Sequence, residues 1–381
     1  MPAIYGYGDP GNHATMLVDA VRMRAFAEAI RRAVRPDDVV VDVGSGTGVL
    51  ALLAAKAGAR RVYAIEAGPM ARVIEREAAG NGVADVVRVV RADARDVRFE
   101  GELADKPTLI VSEMIGSFGL DEDYLGLLGA VRARCAPGCR VLPGSVAIHL
   151  ALASLPSLAE ELATVRGGLG VRLDEVANLL QSRPCMAWVN GTELLTSSTP
   201  AQRFSVGDPT PRAVGGPTTA QRSGSANAIV GWFESELVPG VSLSSSPDGR
   251  PTHWAHLVFP LDPPLALAVD DTVDLEVRPR VITERSTWSW SARVGDTRRA
   301  GDAMRSLAGN KDDLLRSLGV RVTTPDPHSS AQLARWAAAL AGGVAAVSVM
   351  AQRLRAACPD RYADDDDAAK EVERLVTLAD L

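Results

Sequence analysis

Two glutamates flank a mostly apolar, glycine-containing segment, "SEMIGSFGLDE", at residues 112–122. Glu113 and Glu122 stand nine positions apart. Two carboxylates that share one pocket are costly to bury unless a cation neutralises them. The planar guanidinium of arginine has five N–H donors and can satisfy both carboxylates at once, and an ammonium can also be bound. The pair therefore predicts a pocket for a cationic nitrogen. Carboxylates that bind part of a guanidinium draw its positive charge toward the bound nitrogens and away from the free terminal nitrogen.

A glycine-rich turn, containing Gly44, Gly46 and Gly48, follows the β-branched run "VVVDVG". Glycines allow a tight turn and let a ligand approach the backbone amides where the next helix begins. Asp42 lies two residues before the turn. Glu66 ends the next strand, where a carboxylate can accept hydrogen bonds from both hydroxyl groups of a ribose. The spacing G-x-G-x-G is one residue shorter than the dinucleotide form. It resembles the first motif of class I S-adenosylmethionine (SAM)-dependent methyltransferases.

The elements that carry these residues alternate between strands and helices from residue 38 to about 144. The strand-like runs "VVVDVG", "RVYAIE", "VVRVVRAD" and "TLIVSE" are short and nearly all apolar, as expected of strands buried on both faces. Helical runs that end in glycine lie between them. The pattern predicts a Rossmann-like α/β domain at 35–144 with a parallel sheet. An N-terminal segment, 1–34, contains an amphipathic helix over about 15–34.

Residues 145–302 follow a different pattern, with strand-like runs that predict an antiparallel β-barrel or sandwich domain. Asn190-Gly191 predicts a hairpin turn, and residues 197–227 predict a polar, turn-rich connection. A helical insertion is expected at about 155–182 and a helical C-terminal extension at 303–381. The expected fold class is α/β plus β, in which a SAM-binding domain precedes a β-barrel.

Three separated motifs resemble the protein arginine methyltransferases. The segment "SEMIGSFGLDE" resembles their double-glutamate loop, "PTHWAHLVF" at 251–259 resembles their Thr-His-Trp loop, and "HATMLVDAVRMRAF" at 13–26 resembles their N-terminal helix. Together with the SAM turn, the motifs span roughly residues 5 to 300. Two departures are clear: Met114 stands where the family has tryptophan, and the segment expected to form the dimerisation arm, within 155–182, matches poorly.

The resemblance implies roles on the acceptor side of the site. Glu113 and Glu122 would bind the guanidinium, and His253, paired with an acid, would accept a proton beside the pocket. Trp254 would form a wall of the pocket, and Met16 would shape the space beside the acceptor nitrogen. A structural histidine at His253 and a core aromatic at Trp254 are the alternatives.

The resemblance also implies a set of SAM-binding residues. Arg22 would pair with the SAM carboxylate, Asp42 would bind SAM with the glycine turn and Glu66, and Asp93 would reach the adenine amine. Tyr7 would fold over SAM at the substrate side, or lie in an unstructured terminus. Arg22 as a solvated helix residue and Asp93 as the cap of its own turn are the alternatives. The product would be S-adenosylhomocysteine, and no metal is implied because the sulfonium already carries its leaving group.

Composition limits the partners and the compartment. A net charge of −6 and a pI of about 5.5 argue against a nucleic-acid-binding face. The N-terminus lacks a basic start followed by an apolar core, and four cysteines in 381 residues suit a reducing cytoplasm. The apolar stretch at 336–352 consists mainly of alanine and glycine, which favours a packed helix over a membrane span. We expect a cytoplasmic protein.

Four functions agree with these features to different degrees. The leading hypothesis is methylation of arginine guanidines in a peptide or protein. The second is methylation of an aliphatic amine on a ribosomally made peptide during its maturation, which requires a base because an ammonium must lose a proton before it attacks. A nucleic-acid methyltransferase is disfavoured because the glutamate pair would repel phosphate. A non-catalytic SAM-binding scaffold is disfavoured by the intact candidate residues. A homodimer is expected from the resemblance alone.

Overall fold

The computed structural model describes residues 10–168, 170–282 and 285–303. The described elements confirm the predicted class, an α/β sheet followed by antiparallel β-structure. Tyr7 and the extension from residue 304 onward, including the stretch at 336–352, lie outside the described residues.

A five-stranded parallel sheet forms the first part of the structure. Its strands are β1 (Val39–Val43), β2 (Arg61–Ile65), β3 (Val87–Val90), β4 (Leu109–Val111) and β5 (Arg140–Leu142). They lie in the order β3-β2-β1-β4-β5, and every pairing is parallel. All five residues of β1 are buried, as expected for a valine-rich strand with both faces covered. Helices α3 (Val49–Lys56), α4 (Ala71–Gly80) and α5 (Tyr124–Arg132) connect the strands.

From residue 10 onward, two helices precede the sheet where the sequence predicts one. They are α1 (Pro10–Val18) and α2 (Ala20–Ala33), and the prediction of one continuous helix over 15–34 is wrong. Asp19 separates them in an extended conformation, with φ −68° and ψ 94°. Its Oδ1 accepts a hydrogen bond from the amide of Arg22 at 3.0 Å and so caps α2. Helical spacing does not reveal such a break because the apolar period continues across it.

Ten strands follow among the described residues after β5. They are β6 (Ser145–Ala153), β7 (Cys185–Ala187), β8 (Gln202–Ser205), β9 (Val214–Thr219), β10 (Gly224–Val238), β11 (Val241–Ser244), β12 (His256–Leu267), β13 (Thr272–Ile282), β14 (Arg285–Val294) and β15 (Thr297–Asp302). One sheet has the order β7-β12-β10-β6-β8, with β11 beside β10, and the other has the order β15-β14-β13-β9. The two sheets are the predicted antiparallel barrel.

A helical insertion interrupts the barrel between β6 and β7. It contains α6 (Pro156–Ala163), a π-helical turn (Thr164–Gly168) and α7 (Asp174–Gln181). On α7 only Ala177 is buried, whereas the apolar side chains Val176, Leu179 and Leu180 are exposed.

The predicted hairpin at Asn190-Gly191 is wrong. Asn190 instead precedes a short 3₁₀ helix, Gly191–Glu193. The Asn190 side chain accepts from the Glu193 backbone, and the Glu193 carboxylate accepts from the Asn190 amide at 2.8 Å. This reciprocal capping box stabilises a helical turn, so the Asn-Gly pair does not join two strands.

The predicted connection at 197–227 is also wrong, because it contains β8 and β9. The side-chain amide of Gln202 on β8 donates to the Gly215 carbonyl at 2.7 Å and accepts from the Gly215 amide at 3.0 Å. One side chain thus satisfies both backbone groups of a strand residue. The polar composition concealed two short strands at the edges of their sheets.

Candidate active site

A cavity of ≈ 270 Å³ lies where the parallel strands end and α1 and α2 approach the sheet. This is the edge at which open α/β sheets bind ligands. The predicted site residues that line it are Met16, Arg22, Gly44, Gly46, Glu66, Asp93, Glu113 and Glu122. Residues predicted separately for the cofactor and for the acceptor therefore meet in one cavity.

The glycine turn between β1 and α3 fits closely against two side chains. Gly44 and Gly46 have φ values of 68° and 53°, in the left-handed region that favours glycine. A Cβ atom at Gly44 would lie 2.7 Å from the Met114 sulfur, and one at Gly46 would lie 2.9 Å from Cε1 of His13. Met114 and His13 also line the cavity. Side chains at the two glycine positions would press on these residues, so the turn leaves room for a ligand because it consists of glycines there.

Two carboxylates that the sequence predicts to contact SAM, those of Glu66 and Asp42, lie beside this turn. The Glu66 carboxylate accepts from the amides of Gly46 at 2.9 Å and Gly68 at 2.6 Å, which fixes it at the end of β2. Asp42 is buried in β1, and its Oδ2 accepts from the Ala51 amide at 3.1 Å. Within the described residues Asp42 Oδ1 has no hydrogen-bond partner. Burial raises the pKa of Asp42 to about 7, a cost that a cationic group such as the ammonium of SAM would offset.

Asp93 is exposed at the end of the third strand and bonds within its own turn. Its Oδ1 accepts from the Arg95 amide at 2.8 Å, and its Oδ2 lies 3.3 Å from the Arg95 guanidinium. This is the capping contact considered as the alternative. Asp93 also lines the cavity, so its position allows the adenine contact as well.

Glu113 follows β4 and is paired with Arg22 of α2. The Arg22 Nε and Nη2 atoms donate to Glu113 Oε2 at 2.9 Å and 2.6 Å, and Nη1 donates to the Met16 carbonyl at 3.1 Å. Both side chains of the ion pair are 6% exposed. Arg22 is therefore not a solvated helix residue. Glu122 is half-buried at the other end of the loop and lines the same cavity.

His253 is joined to α2 through Asp19. The His253 amide and its Nδ1 atom both contact Asp19 Oδ2, at 2.8 Å and 2.9 Å. Burial lowers the pKa of His253, although Asp19 and the charge of Glu113 oppose the change. Burial opposes ionisation of Asp19 too, but the amides of Arg22 and His253 and the His253 ring lower the pKa of Asp19 overall. An ionised Asp19 thus faces a neutral His253 at neutral pH.

Within the described part of the chain, four predicted site residues do not line the cavity: Asp42, Gly48, His253 and Trp254. Trp254 is 5% exposed, and its ring packs edge-on against Phe233 at 5.1 Å and beside His253 at 4.2 Å. A Cβ atom at Gly48 would lie 2.7 Å from Cγ2 of Ile74. Met16, by contrast, lines the cavity beside Leu17 of α1.

Sequence reasoning gave no role to three residues of this region. Asp19 is the acid paired with His253, and the signal for it is an aspartate three residues before Arg22, in an N-cap position. His13 covers the glycine turn. Asp121 bonds to the backbone of the double-glutamate loop, and its signal is an acid that follows two glycines, Gly116 and Gly119.

Two family profiles match the chain. The family described as TRM5/TYW2 methyltransferase domain matches residues 20–117, and the Arginine methyltransferase oligomerization subdomain matches residues 146–287. Among curated relatives, the arginine N(omega)-methyltransferase of Streptomyces achromogenes subsp. streptozoticus is 29% identical over 278 residues, which are 70% of this chain and 76% of the relative. The chain is similar to members of the protein arginine methyltransferase family, which these matches support. It is a SAM-dependent N-methyltransferase, as the sequence predicts.

Other arginine methyltransferases are similar in sequence or in fold. Protein arginine N-methyltransferase 1 of Oryza sativa subsp. indica is 27% identical over 278 residues, 70% of this chain and 71% of the relative. The structure of the Trypanosoma brucei PRMT1 enzyme-prozyme heterotetrameric complex with AdoHcy has a TM-score of 0.71 at 23% identity, covering 78% of this chain and 99% of that one. Arabidopsis thaliana protein arginine methyltransferase 10 has a TM-score of 0.67 at 19% identity, with 78% and 99% covered.

No helix in the described part of the chain has the length and apolar character needed to cross a membrane.

Proposed function

We propose that this chain transfers methyl groups from SAM to a guanidine nitrogen of arginine in a peptide or protein. The observation that carries the proposal is the meeting of Glu113 and Glu122 with the predicted cofactor residues in one cavity. Glu113 already binds a guanidinium, that of Arg22, through two hydrogen bonds. Both bonds end on Oε2, and among the described residues no donor reaches Oε1, which leaves that oxygen for a substrate nitrogen.

The cofactor side of the proposal assigns the acids and glycines at the sheet edge. Glu66 would bind the ribose hydroxyls, Asp42 the ammonium and Asp93 the adenine amine, while Arg22 would pair with the SAM carboxylate. When bound, SAM supplies an electrophilic methyl group on a sulfonium. Glu66 and Asp42 are fixed by hydrogen bonds from backbone amides, which suits alignment of a bound reactant.

The two glutamates would orient the acceptor. Glu113 and Glu122 would accept N–H groups of the substrate guanidinium, so that positive charge concentrates on the bound nitrogens and the remaining terminal nitrogen keeps its lone pair for attack. That nitrogen would take up the methyl group, and the sulfur of SAM would keep the electron pair of the carbon–sulfur bond that breaks.

The methylated nitrogen must then lose a proton, and His253 is the proposed acceptor. Its Nδ1 faces Asp19, so a neutral ring that donates from Nδ1 presents Nε2 as a base. The ionised Asp19 would stabilise the imidazolium that forms.

The substrate class is tested by mass spectrometry with three peptides of one sequence that carry arginine, lysine or citrulline at a single position. We expect methylation of the arginine peptide only, because citrulline is neutral and a lysine ammonium must first be deprotonated. If the lysine peptide is methylated and the arginine peptide is not, the acceptor is an amine rather than a guanidine.

We also propose that the chain forms a homodimer through the helical insertion. The apolar side chains Val176, Leu179 and Leu180 of α7 are 42%, 37% and 38% exposed. Clustered exposed apolar groups are typical of protein interfaces. The matching profile is described as an oligomerization subdomain and covers the insertion, which supports the proposal.

A further inference from the structure

The backbone between the two glutamates forms no regular helix or strand, so its amides need acceptors elsewhere. Gly116 and Gly119 have φ values of 67° and 74°, in the left-handed region that favours glycine. The loop therefore turns twice between Glu113 and Glu122. The conformation of these two turns determines where the two carboxylates lie.

Asp121 provides acceptors for the amides at the tip of this loop. Its Oδ2 accepts from the Ser117 amide at 2.9 Å, and its Oδ1 accepts from the Phe118 amide at 3.0 Å. The fit is close, because a Cβ atom at Gly116 would overlap the Asp121 carboxylate. Removal from water raises the pKa of Asp121, while the backbone hydrogen bonds, led by those of Ser117 and Phe118, oppose that change.

Phe118 attaches the same loop to the barrel. Its side chain is fully buried and packs edge-on against Phe259 at 5.8 Å and Trp288 at 5.6 Å. Gly231 of β10 makes the room, because a Cβ atom there would overlap the Phe118 ring. The barrel therefore fixes the Phe118 side chain at the tip of the loop. The backbone of the tip is held by its hydrogen bonds to Asp121.

We propose that Asp121 is a positioning residue, which sets the separation and orientation of Glu113 and Glu122 by bonding to the backbone amides of Ser117 and Phe118. The inference deepens the proposed function and rests on it, since the two glutamates matter only if they bind the acceptor. Asp121 itself touches no reacting atom in this account. An asparagine at the same place would keep the shape of the side chain but lose one acceptor and the charge that strengthens both bonds.

Hydrogen exchange measured by mass spectrometry tests the contact without any acceptor. We compare the wild-type protein, Asp121→Asn and, as a matched control, Asp208→Asn. Asp208 also accepts from a backbone amide, that of Ser205 at the end of β8, at 2.7 Å. Asp121→Asn should increase deuterium uptake in the peptide that covers 113–122 and leave the glycine turn at 42–48 unchanged. Asp208→Asn should change neither. Because no methylation is measured, failure of the arginine proposal leaves this result interpretable.

Kinetics then separate positioning from a general structural role. Asp121→Asn should lower kcat for the arginine peptide about tenfold to a hundredfold, because misplaced carboxylates align the acceptor poorly. The dissociation constant of S-adenosylhomocysteine and the melting temperature should match those of Asp208→Asn. Gly116→Ala should reproduce the loss of kcat, and the two changes together should cost no more than either one alone.

Three results would overturn the proposal. One is a wild-type kcat for Asp121→Asn, and another is unchanged exchange over 113–122. The third is a loss of folding or of S-adenosylhomocysteine binding beyond that of Asp208→Asn, which would make Asp121 a residue of the fold rather than of the loop geometry.

Discussion

The carboxyl group of Asp42 is buried beside the glycine turn, and only its Oδ2 atom is hydrogen-bonded among the described residues. Its pKa is raised from 3.8 to about 7, so the ionised form destabilises the fold. That cost is absent below about pH 4, grows as pH rises and is complete above about pH 7. A group that lowers stability without ligand is expected where a cation binds.

Asp42→Asn should therefore stabilise the protein and impair its cofactor site. At about pH 8.5 we expect the free energy of unfolding to rise by about 1 to 3 kcal/mol in urea denaturation, with a smaller gain at about pH 5.5. Calorimetry should show SAM binding at least about tenfold weaker. An asparagine variant less stable than wild type at the higher pH would contradict the assigned cost of the charge.

The pair of His253 and Asp19 predicts an acid limb in the rate profile. Because the pKa of His253 is lowered, the ring is neutral at neutral pH, and kcat/KM should fall as pH drops below about 6.5. Asp19 opposes the lowering, so Asp19→Asn should move the limb to still lower pH. His253→Gln should abolish the limb in profiles from about pH 5 to about pH 9.

A matched histidine controls for burial alone. His256 is also buried with a lowered pKa, but its ring bonds to the backbone of Val189 and Ser245. His256→Gln should keep the acid limb. If His253→Gln also keeps it, His253 does not accept the proton.

At the scale of elements, the glycine turn and helix α1 form one cofactor-binding unit. Gly46→Ala should weaken SAM binding by at least about tenfold, because the new methyl would press on His13 in α1 as well as strain the backbone. Gly82→Ala is the matched control, since its φ of 68° carries similar strain while nothing lies within 4 Å of a Cβ there. If calorimetry shows equal loss of SAM binding in both variants, the close approach of Gly46 to His13 does not contribute to SAM binding.

The same elements show what could be predicted from sequence. Buried valine runs such as β1 identify the parallel sheet, because strands covered on both faces need continuous apolar residues. The break at Asp19, the 3₁₀ helix at Asn190 and the strands β8 and β9 depend on individual side-chain hydrogen bonds. Such bonds leave no periodic signal, and so these features were missed or predicted wrongly.

The candidate site was predicted less evenly than the fold. The glycine turn and the two glutamates could be predicted because, within each motif, the residues are spaced so that they can bind the same ligand. The pairing of Arg22 with Glu113 and of Asp19 with His253 joins positions 91 and 234 residues apart, which only the folded chain reveals.

At the scale of the whole molecule, the exposed apolar stripe on α7 predicts association. The wild-type protein should be a dimer at micromolar concentration in sedimentation experiments, and Val176→Glu with Leu180→Glu should yield monomers because charges at an interface core are costly to desolvate. Val269→Glu changes a single exposed valine, 54% accessible, outside the insertion and should remain dimeric. A monomeric wild-type chain would exclude this interface.

If Glu113 and Glu122 bind a guanidinium for methylation, methyl transfer to a mapped arginine must depend on both carboxylates. Tandem mass spectrometry would follow a single-arginine peptide incubated with SAM and either wild-type protein, Glu113→Gln, Glu122→Gln or the exposed control Glu77→Gln. We expect methyl groups on the guanidine nitrogens with wild type and Glu77→Gln, and at least about a hundredfold slower transfer with each loop variant. Undiminished arginine methylation by either loop variant would contradict this role of the two glutamates.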